Sequence, residues 1–469
     1  MRNQLTSLLF FLTVVSCGTS KNWESEQGKN SFSASFEDFN SSEKIEIEED
    51  SNKVVYLSYL TENKEGDFTF KINRDDFKYE NSKIVHFKTD LEKPLQMRIK
   101  GSSAKGNFKI EYPTYKKKEI KVLYNANFEL LSLAYFLSNM YEDLNDNNNS
   151  FVYDGKEVSV KDLFALNLKI GNRFENQLDS ENLKILNEFF QKHWYLEYTN
   201  FVMLLTEFPN TEIPEKSSSQ ELFTSDQEKE RFILALNNFH QEIKFEEYLE
   251  EYEAYYSKMI EEVENNLPNE GFITEMEHLY DKEANAYFLN ASLTMPFSQG
   301  YAISRDKNIG YVFGSLSLPT ELEDIDKLSL GYANSKQLRN LSVHEFGHSF
   351  VNPGIDQVED SVITKKEFLF EPIQQEMSDQ GYTTWKIALY EHFVRAGEIF
   401  IARQLGDQNS ADKLSKDYIE NKHFIYLNPI VASLEKWYNN EYFDKTYQEF
   451  VKETIQKLTM QASMTDNNI

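Results

Sequence analysis

The chain has 469 residues, 40% hydrophobic and 27% charged, which is the composition of a folded chain and excludes a disordered one. Lys+Arg total 49 against 77 Asp+Glu, a formal net charge of −28, and a surface this acidic repels phosphate backbones and argues against a nucleic-acid partner. A single cysteine rules out an intrachain disulfide.

That cysteine stands at an informative place. Arg2 supplies a positive start, and residues 5–15 form an almost unbroken apolar run. The run is too short to cross a hydrocarbon core about 30 Å thick, so it reads as the core of an export signal. It ends in Val14-Val15-Ser16-Cys17-Gly18, which resembles a bacterial lipobox. The resemblance implies a signal peptide over 1–16, cleavage before Cys17 and lipid on Cys17. The expected location is the bacterial cell envelope, with the membrane as a partner through the lipid anchor. No other stretch of sequence is long and apolar enough to span a membrane.

Residues 17–31 are polar and read as a tether. From 32 to 118 the pattern alternates, with candidate strands at 44–48, 54–60, 68–72, 83–88, 96–99 and 107–112. Short strands separated by turn-like gaps predict a small antiparallel β-sandwich. After residue 119 the period changes to that of helices: Phe128, Leu131, Ala134, Tyr135 and Leu137 share one face. Further helical stretches are expected at 161–174, 180–205 and 226–267. The acidic run 246–253 reads as a solvated helix face. Residues 143–154 place oxygen side chains as a calcium loop does, but lack its glycine and end in Asp154, so a polar loop is the better reading. Strand character returns at 286–293, 301–304 and 309–313, a small sheet just ahead of the most informative segment.

That segment is Ser342-Val-His-Glu-Phe-Gly-His-Ser349. His344 and His348, at i and i+4, project from one face of a helix and can share one Zn²⁺. Glu345 is offset by one residue. It can take a proton from a water held at the metal without occupying a coordination place. Ser335 is a candidate N-cap, Val343, Phe346 and Phe350 form the docking stripe, and Asn352-Pro353 is expected to end the helix.

A catalytic zinc needs a third protein ligand and an open position. Gly354 stands where a third histidine of the metzincin pattern would be, so a carboxylate from a second helix is expected. The acidic candidates are Asp356, Glu359, Asp360, Glu367, Glu371, Glu376 and Glu391. Glu391 lies in a helix that is apolar nearly all round, where a carboxylate is costly unless paired or bound to metal. It is the chosen ligand; Glu371 and Glu376 are the next alternatives, and Arg395 at i+4 is the competing ion-pair partner. His392 has a supporting role or is an ordinary buried histidine. His423 and Tyr426 are candidate donors to a developing oxyanion.

His344-Glu345-x-x-His348 with a distant Glu391 resembles a gluzincin-type zinc metallopeptidase. More narrowly, His344-Glu-Phe-Gly-His-Ser-Phe-Val-Asn-Pro353 with Glu391-His-Phe-Val-Arg-Ala396 resembles an uncharacterised family of bacterial lipoproteins with a domain of unknown function. The resemblance implies His344, His348 and Glu391 as metal ligands and Glu345 as catalytic base. It implies Glu398 as a support for the first histidine, and a sheet edge at 309–315 that binds an extended peptide by strand addition. The expected fold class is α+β: an N-terminal antiparallel β-sandwich, then a mostly helical zincin-like catalytic domain over 119–460 with a small β-sheet, and a polar tail over 461–469. The expected function is hydrolysis of a peptide or protein substrate with Zn²⁺ as cofactor. The alternative is a non-enzymatic surface lipoprotein that binds glycan or protein and carries a structural zinc.

Overall fold

The computed structural model describes residues 19–47, 52–72, 85–90, 95–153, 155–212, 222–269, 271–305, 307–439 and 445–460. Cys17, the apolar run before it and the 461–469 tail lie outside the described residues. No helix among the described residues is long and apolar enough to cross a membrane.

The alternating N-terminal segment forms one eight-stranded antiparallel sheet. Its strands are β1 (Thr19–Lys21), β2 (Glu24–Gln27), β3 (Ser31–Asn40), β4 (Ser42–Ile47), β5 (Lys53–Ile72), β6 (Val85–Asp90), β7 (Leu95–Glu111) and β8 (Thr114–Lys116). The order is β1-β3-β7-β5-β6, with β2 beside β3, β4 beside β7 and β8 beside β5. On β3, Phe32, Ala34 and Phe36 are buried while the residues between them are not, as a period of two requires.

β5 and β7 pair from Ser58↔Glu111 to Ile72↔Met97, with register shifts between Asn63 and Asp67. The ribbon folds over at that corner. Tyr59 and Phe70 belong to the same strand, yet their rings stack 4.3 Å apart; a straight strand would hold them more than about 30 Å apart. Gly66 sits at the corner with φ 74°, and a Cβ there would meet the Ser103 carbonyl oxygen at 2.0 Å. The two layers of the expected sandwich are therefore the two halves of a single folded sheet, closed around one aromatic core that includes Phe36, Phe39, Phe70 and Phe108.

The described chain divides into two compact units. The first runs to Lys117 and also takes in Ile273–Glu283 and Asn428–Leu458; the second holds Lys118–Phe272 and Ala284–Leu427. In the first unit the ring of His278 stacks on Tyr56 at 4.0 Å and meets Tyr438 at 4.9 Å.

The second unit is mostly helical around a four-stranded mixed sheet. β9 (Ile120–Leu123) and a separate hairpin of β10 (Ser150–Tyr153) and β11 (Lys156–Ser159) come first in the chain. β12 (Ala286–Ala291), β13 (Gly300–Arg305) and β14 (Asn308–Phe313) complete the sheet in the order β13-β14-β12-β9. β9, β12 and β14 are parallel and β13 is antiparallel. Segment 309–315, expected at an edge, is interior: β14 pairs with β12 on one side and β13 on the other. β13 is the edge strand. The stretch read as a polar loop at 143–154 is in part β10. The helical stretch at 226–267 is broken at Lys244, whose left-handed φ of 53° ends one helix and starts another.

Helices α1 (Ala126–Asn139) and α2 (Glu253–Glu264) enclose a buried carboxyl group. Glu129 is fully buried. Its Oε2 accepts from the Tyr256 hydroxyl at 2.8 Å and the Thr294 backbone N–H at 3.2 Å, while Oε1 has no hydrogen-bond partner. Burial pushes its pKa up to about 7 in spite of these donors. A folded-state pKa above the unfolded one means stability that is fully present below about 4.5 and is lost as pH rises through 7. Glu129→Gln is accordingly expected to gain on the parent by up to roughly 3 kcal/mol between those limits. Thermal melts at pH 4.5 and pH 8 check this; a difference between variant and parent that does not change with pH would contradict it.

Candidate metal centre

The site is built on two helices of the second unit, α3 (Ser335–Asp356) and α4 (Trp385–Gln404). Asn334 caps α3, its side chain accepting from the Gln337 N–H at 3.1 Å, so Ser335, the expected cap, is instead the first helical residue. Val343, Phe346 and Phe350 are buried as the stripe predicts. Phe346 lies 5.0 Å from the Tyr287 ring and 5.3 Å from the Tyr311 ring, which docks α3 onto β12 and β14. Each such side chain contributes about 1.5–3 kcal/mol of burial.

The helix does not stop at Asn352-Pro353 but continues to Asp356. Pro353 has no N–H to give to the preceding turn, and the cost is offset by burial of Gly354 and Ile355 beyond it. This keeps Asn352 one turn from His348. Its Oδ1 lies 3.2 Å from His348 Nδ1.

α4 is capped by Thr384, whose hydroxyl accepts from the Ile387 N–H at 3.3 Å. Nearly every residue from Ala388 to Ala402 is buried, and Glu391 is 7% exposed. Glu391 meets both histidines. His344 Nε2 lies 3.3 Å from His348 Nε2; Glu391 Oε1 is 3.4 Å from His348 Nε2 and Oε2 is 3.8 Å from His344 Nε2. Among the described residues, this is the one set of three His, Cys, Asp or Glu side chains arranged to hold a metal ion. Glu371 and Glu376 are not part of it.

The donor set fits a zinc-type cation on two counts. Tetrahedral bonds of ~2.0–2.1 Å place neighbouring donor atoms about 3.3 Å apart, close to the spacings found. Second, the outer ring nitrogens are already engaged. His344 Nδ1 donates to Glu398 Oε1 at 2.8 Å and His348 Nδ1 to Asn352 Oδ1. With each ring neutral, both Nε2 lone pairs face each other, an arrangement that repels unless a proton or a metal cation lies between them. Glu391 Oε2 is buried without a hydrogen bond.

The competing partner is present as well. Arg395 lies 3.2 Å from Glu391 Oε2 and 3.8 Å from Glu398 Oε1. Its guanidinium donates to the Tyr382 hydroxyl at 3.1 Å and is held between the rings of Tyr418 and Phe424, 4.7 and 4.6 Å away. Tyr418 in turn donates to Glu398 Oε2 at 2.7 Å. Burial favours the neutral acid at Glu391, but His348, Arg395 and His344 together hold its pKa below the ordinary value. The ion pair therefore keeps the carboxylate charged, a requirement for ligating a metal.

Glu345 is 7% exposed, and burial raises its pKa to about 7. A Cβ on Gly300, the first residue of β13, would lie 2.7 Å from Glu345 Oε1 and 2.9 Å from Leu341 Cδ1. A side chain at this position would displace the ends of Glu345 and Leu341, so glycine lets the edge strand pass close to the carboxylate as it stands.

Of the two oxyanion candidates, one has its hydroxyl engaged elsewhere. Tyr426 is buried and spends its hydroxyl on the Leu369 carbonyl at 2.7 Å; His423 is exposed, in a left-handed turn with φ 60°. His392 is an ordinary buried histidine: its Nδ1 donates to the Ala388 carbonyl at 2.7 Å and burial lowers its pKa to about 4. Tyr382, Tyr418 and Gly300 carry no motif, and the sequence marks Asn352 only as a helix end, so none of the four is legible as part of the site.

Fold and site define an α+β chain whose second unit presents a His-His-Glu donor set, with a buried glutamate beside it, next to an edge strand. A family model described as Domain of unknown function (DUF4932) matches residues 120–457, and the chain belongs to this family. No curated protein and no solved structure matches it.

Proposed function

We propose that the protein is a zinc-dependent metallohydrolase, a gluzincin-like peptidase, held in the bacterial envelope by lipid on Cys17. The observation that carries this reading is the mutual approach of His344, His348 and Glu391 to 3.3–3.8 Å, with Glu345 alongside. A bound Zn²⁺ supplies Lewis-acid polarisation of a carbonyl and makes water acidic near neutral pH. Glu345 accepts a proton from the attacking water and returns it to the leaving amine. Glu398 and Asn352 hold the imidazoles in the tautomer that leaves Nε2 unprotonated. Arg395 offsets the charge of two buried carboxylates. The outer side of β13 pairs with no strand among the described residues, and a peptide in extended form can add there. The anchoring at Cys17 rests on the lipobox-like sequence alone.

The purified full chain is expected to bind one zinc and to cleave an unstructured protein substrate. A chelator should stop cleavage and added zinc restore it. Cleavage that survives chelation, or none in the zinc-loaded protein, would remove the reading.

A further inference from the structure

Beside the edge strand the second unit exposes a tryptophan, and what surrounds it suggests a substrate preference. Trp194 is 45% exposed, which is unusual for so large an aromatic residue. Its ring meets that of Tyr301, on β13, edge-on at 6.3 Å. The next residue, Tyr195, is fully buried and bonds through its hydroxyl to Gln299, directly before β13. The tryptophan is thus tied to the strand that passes Glu345 at Gly300. Side chains alternate along a strand, so Gly300 turns towards α3 and Tyr301 to the opposite face.

A carboxylate completes the patch. Glu197 Oε1 accepts from the Trp194 backbone N–H at 2.9 Å, which fixes the side chain next to the ring. The Glu197 side chain remains 45% exposed, with the His193 ring nitrogen 3.6 Å from its other oxygen. Tyr301 adds no second charge: burial, then Glu197 and Glu345, push its phenol up to about 12. An aromatic face beside a fixed carboxylate suits a cation more than a neutral side chain. The net charge of −28 draws in ligands of the opposite, positive charge.

We propose that Trp194, Glu197 and Tyr301 form a subsite for an arginine or lysine side chain of an extended peptide lying along β13. Arginine is favoured because its planar group stacks on a ring and forks onto a carboxylate at once. The place of the peptide on β13 rests on the peptidase reading; the binding test below does not.

The test uses the zinc-loaded Glu345→Gln protein, in which hydrolysis is slowed, and a peptide scanned with Arg, Leu or Glu at each position. Calorimetry at about 0.15 M salt limits long-range attraction to about 8 Å. At one position the Arg peptide should bind about ten-fold tighter than the Leu peptide, about 1.4 kcal/mol, and the Glu peptide weakest. Adding Glu197→Gln should erase the Arg preference and leave the Leu peptide unchanged. A scan with no position preferring Arg, or a preference that survives Glu197→Gln, overturns the subsite. Turnover by the wild-type protein is read separately. No cleavage of tightly bound Arg peptides removes the peptidase reading and keeps the subsite; cleavage without preference removes the subsite alone.

Discussion

Replacing Glu345 by Gln is expected to leave the zinc content at the wild-type level and to slow peptide hydrolysis by about 10²–10⁴-fold. The two residues have the same shape, so the carboxamide fits against Gly300 where the carboxylate does. Gln cannot accept the proton of the attacking water. No ligand is lost, because Glu345 is outside the His344, His348 and Glu391 set. Stability should hold or rise, since burial already disfavours the charge at this position. Zinc analysis, a melting curve and steady-state kinetics on the same preparation separate the effects. A rate within ten-fold of wild type would rule out Glu345 as the base.

Glu391→Ala should act on metal binding itself. It removes the anionic ligand and leaves the buried guanidinium of Arg395 facing two imidazoles. Supporting residues around a metal typically contribute roughly 10–100-fold to affinity, and loss of a ligand should exceed this. The metal-free protein should suffer too. Breaking a buried ion pair costs about 3–5 kcal/mol, less here because Glu398 remains 3.8 Å from the guanidinium. Competitive zinc titration and melting of the chelated protein read the two losses independently. Zinc affinity equal to wild type would show that Glu391 serves Arg395 alone.

The metal cluster was legible in the sequence because its parts obey local rules. An i, i+4 histidine pair needs only a helix, and the helix is announced by its stripe and its cap. Glu391 stood out as a charged residue in an apolar helix, where burial without a partner is costly. What escaped depends on contacts between distant segments. Asn352 reaches His348 only because α3 runs on through Pro353, against the usual behaviour of residues before proline. Gly300 matters only because β13 passes Glu345, and Tyr418 only because it bonds Glu398 across the turn after α4. The expected edge lies one strand away from the observed one: periodicity marks β13 and β14 alike, and only pairing tells which has an open side. The N-terminal strands were read as several short pieces, whereas β5 is one long strand bent at Gly66.

The central claim is that two imidazoles and one carboxylate share a single cation and leave one place open. Zinc K-edge absorption on the loaded wild-type protein tests it most directly. The expected spectrum has two histidine nitrogens and two oxygens at ~2.0–2.1 Å, one oxygen from Glu391 and one from solvent. A protein that holds no stoichiometric zinc, or a spectrum without two imidazoles around the metal, would contradict it.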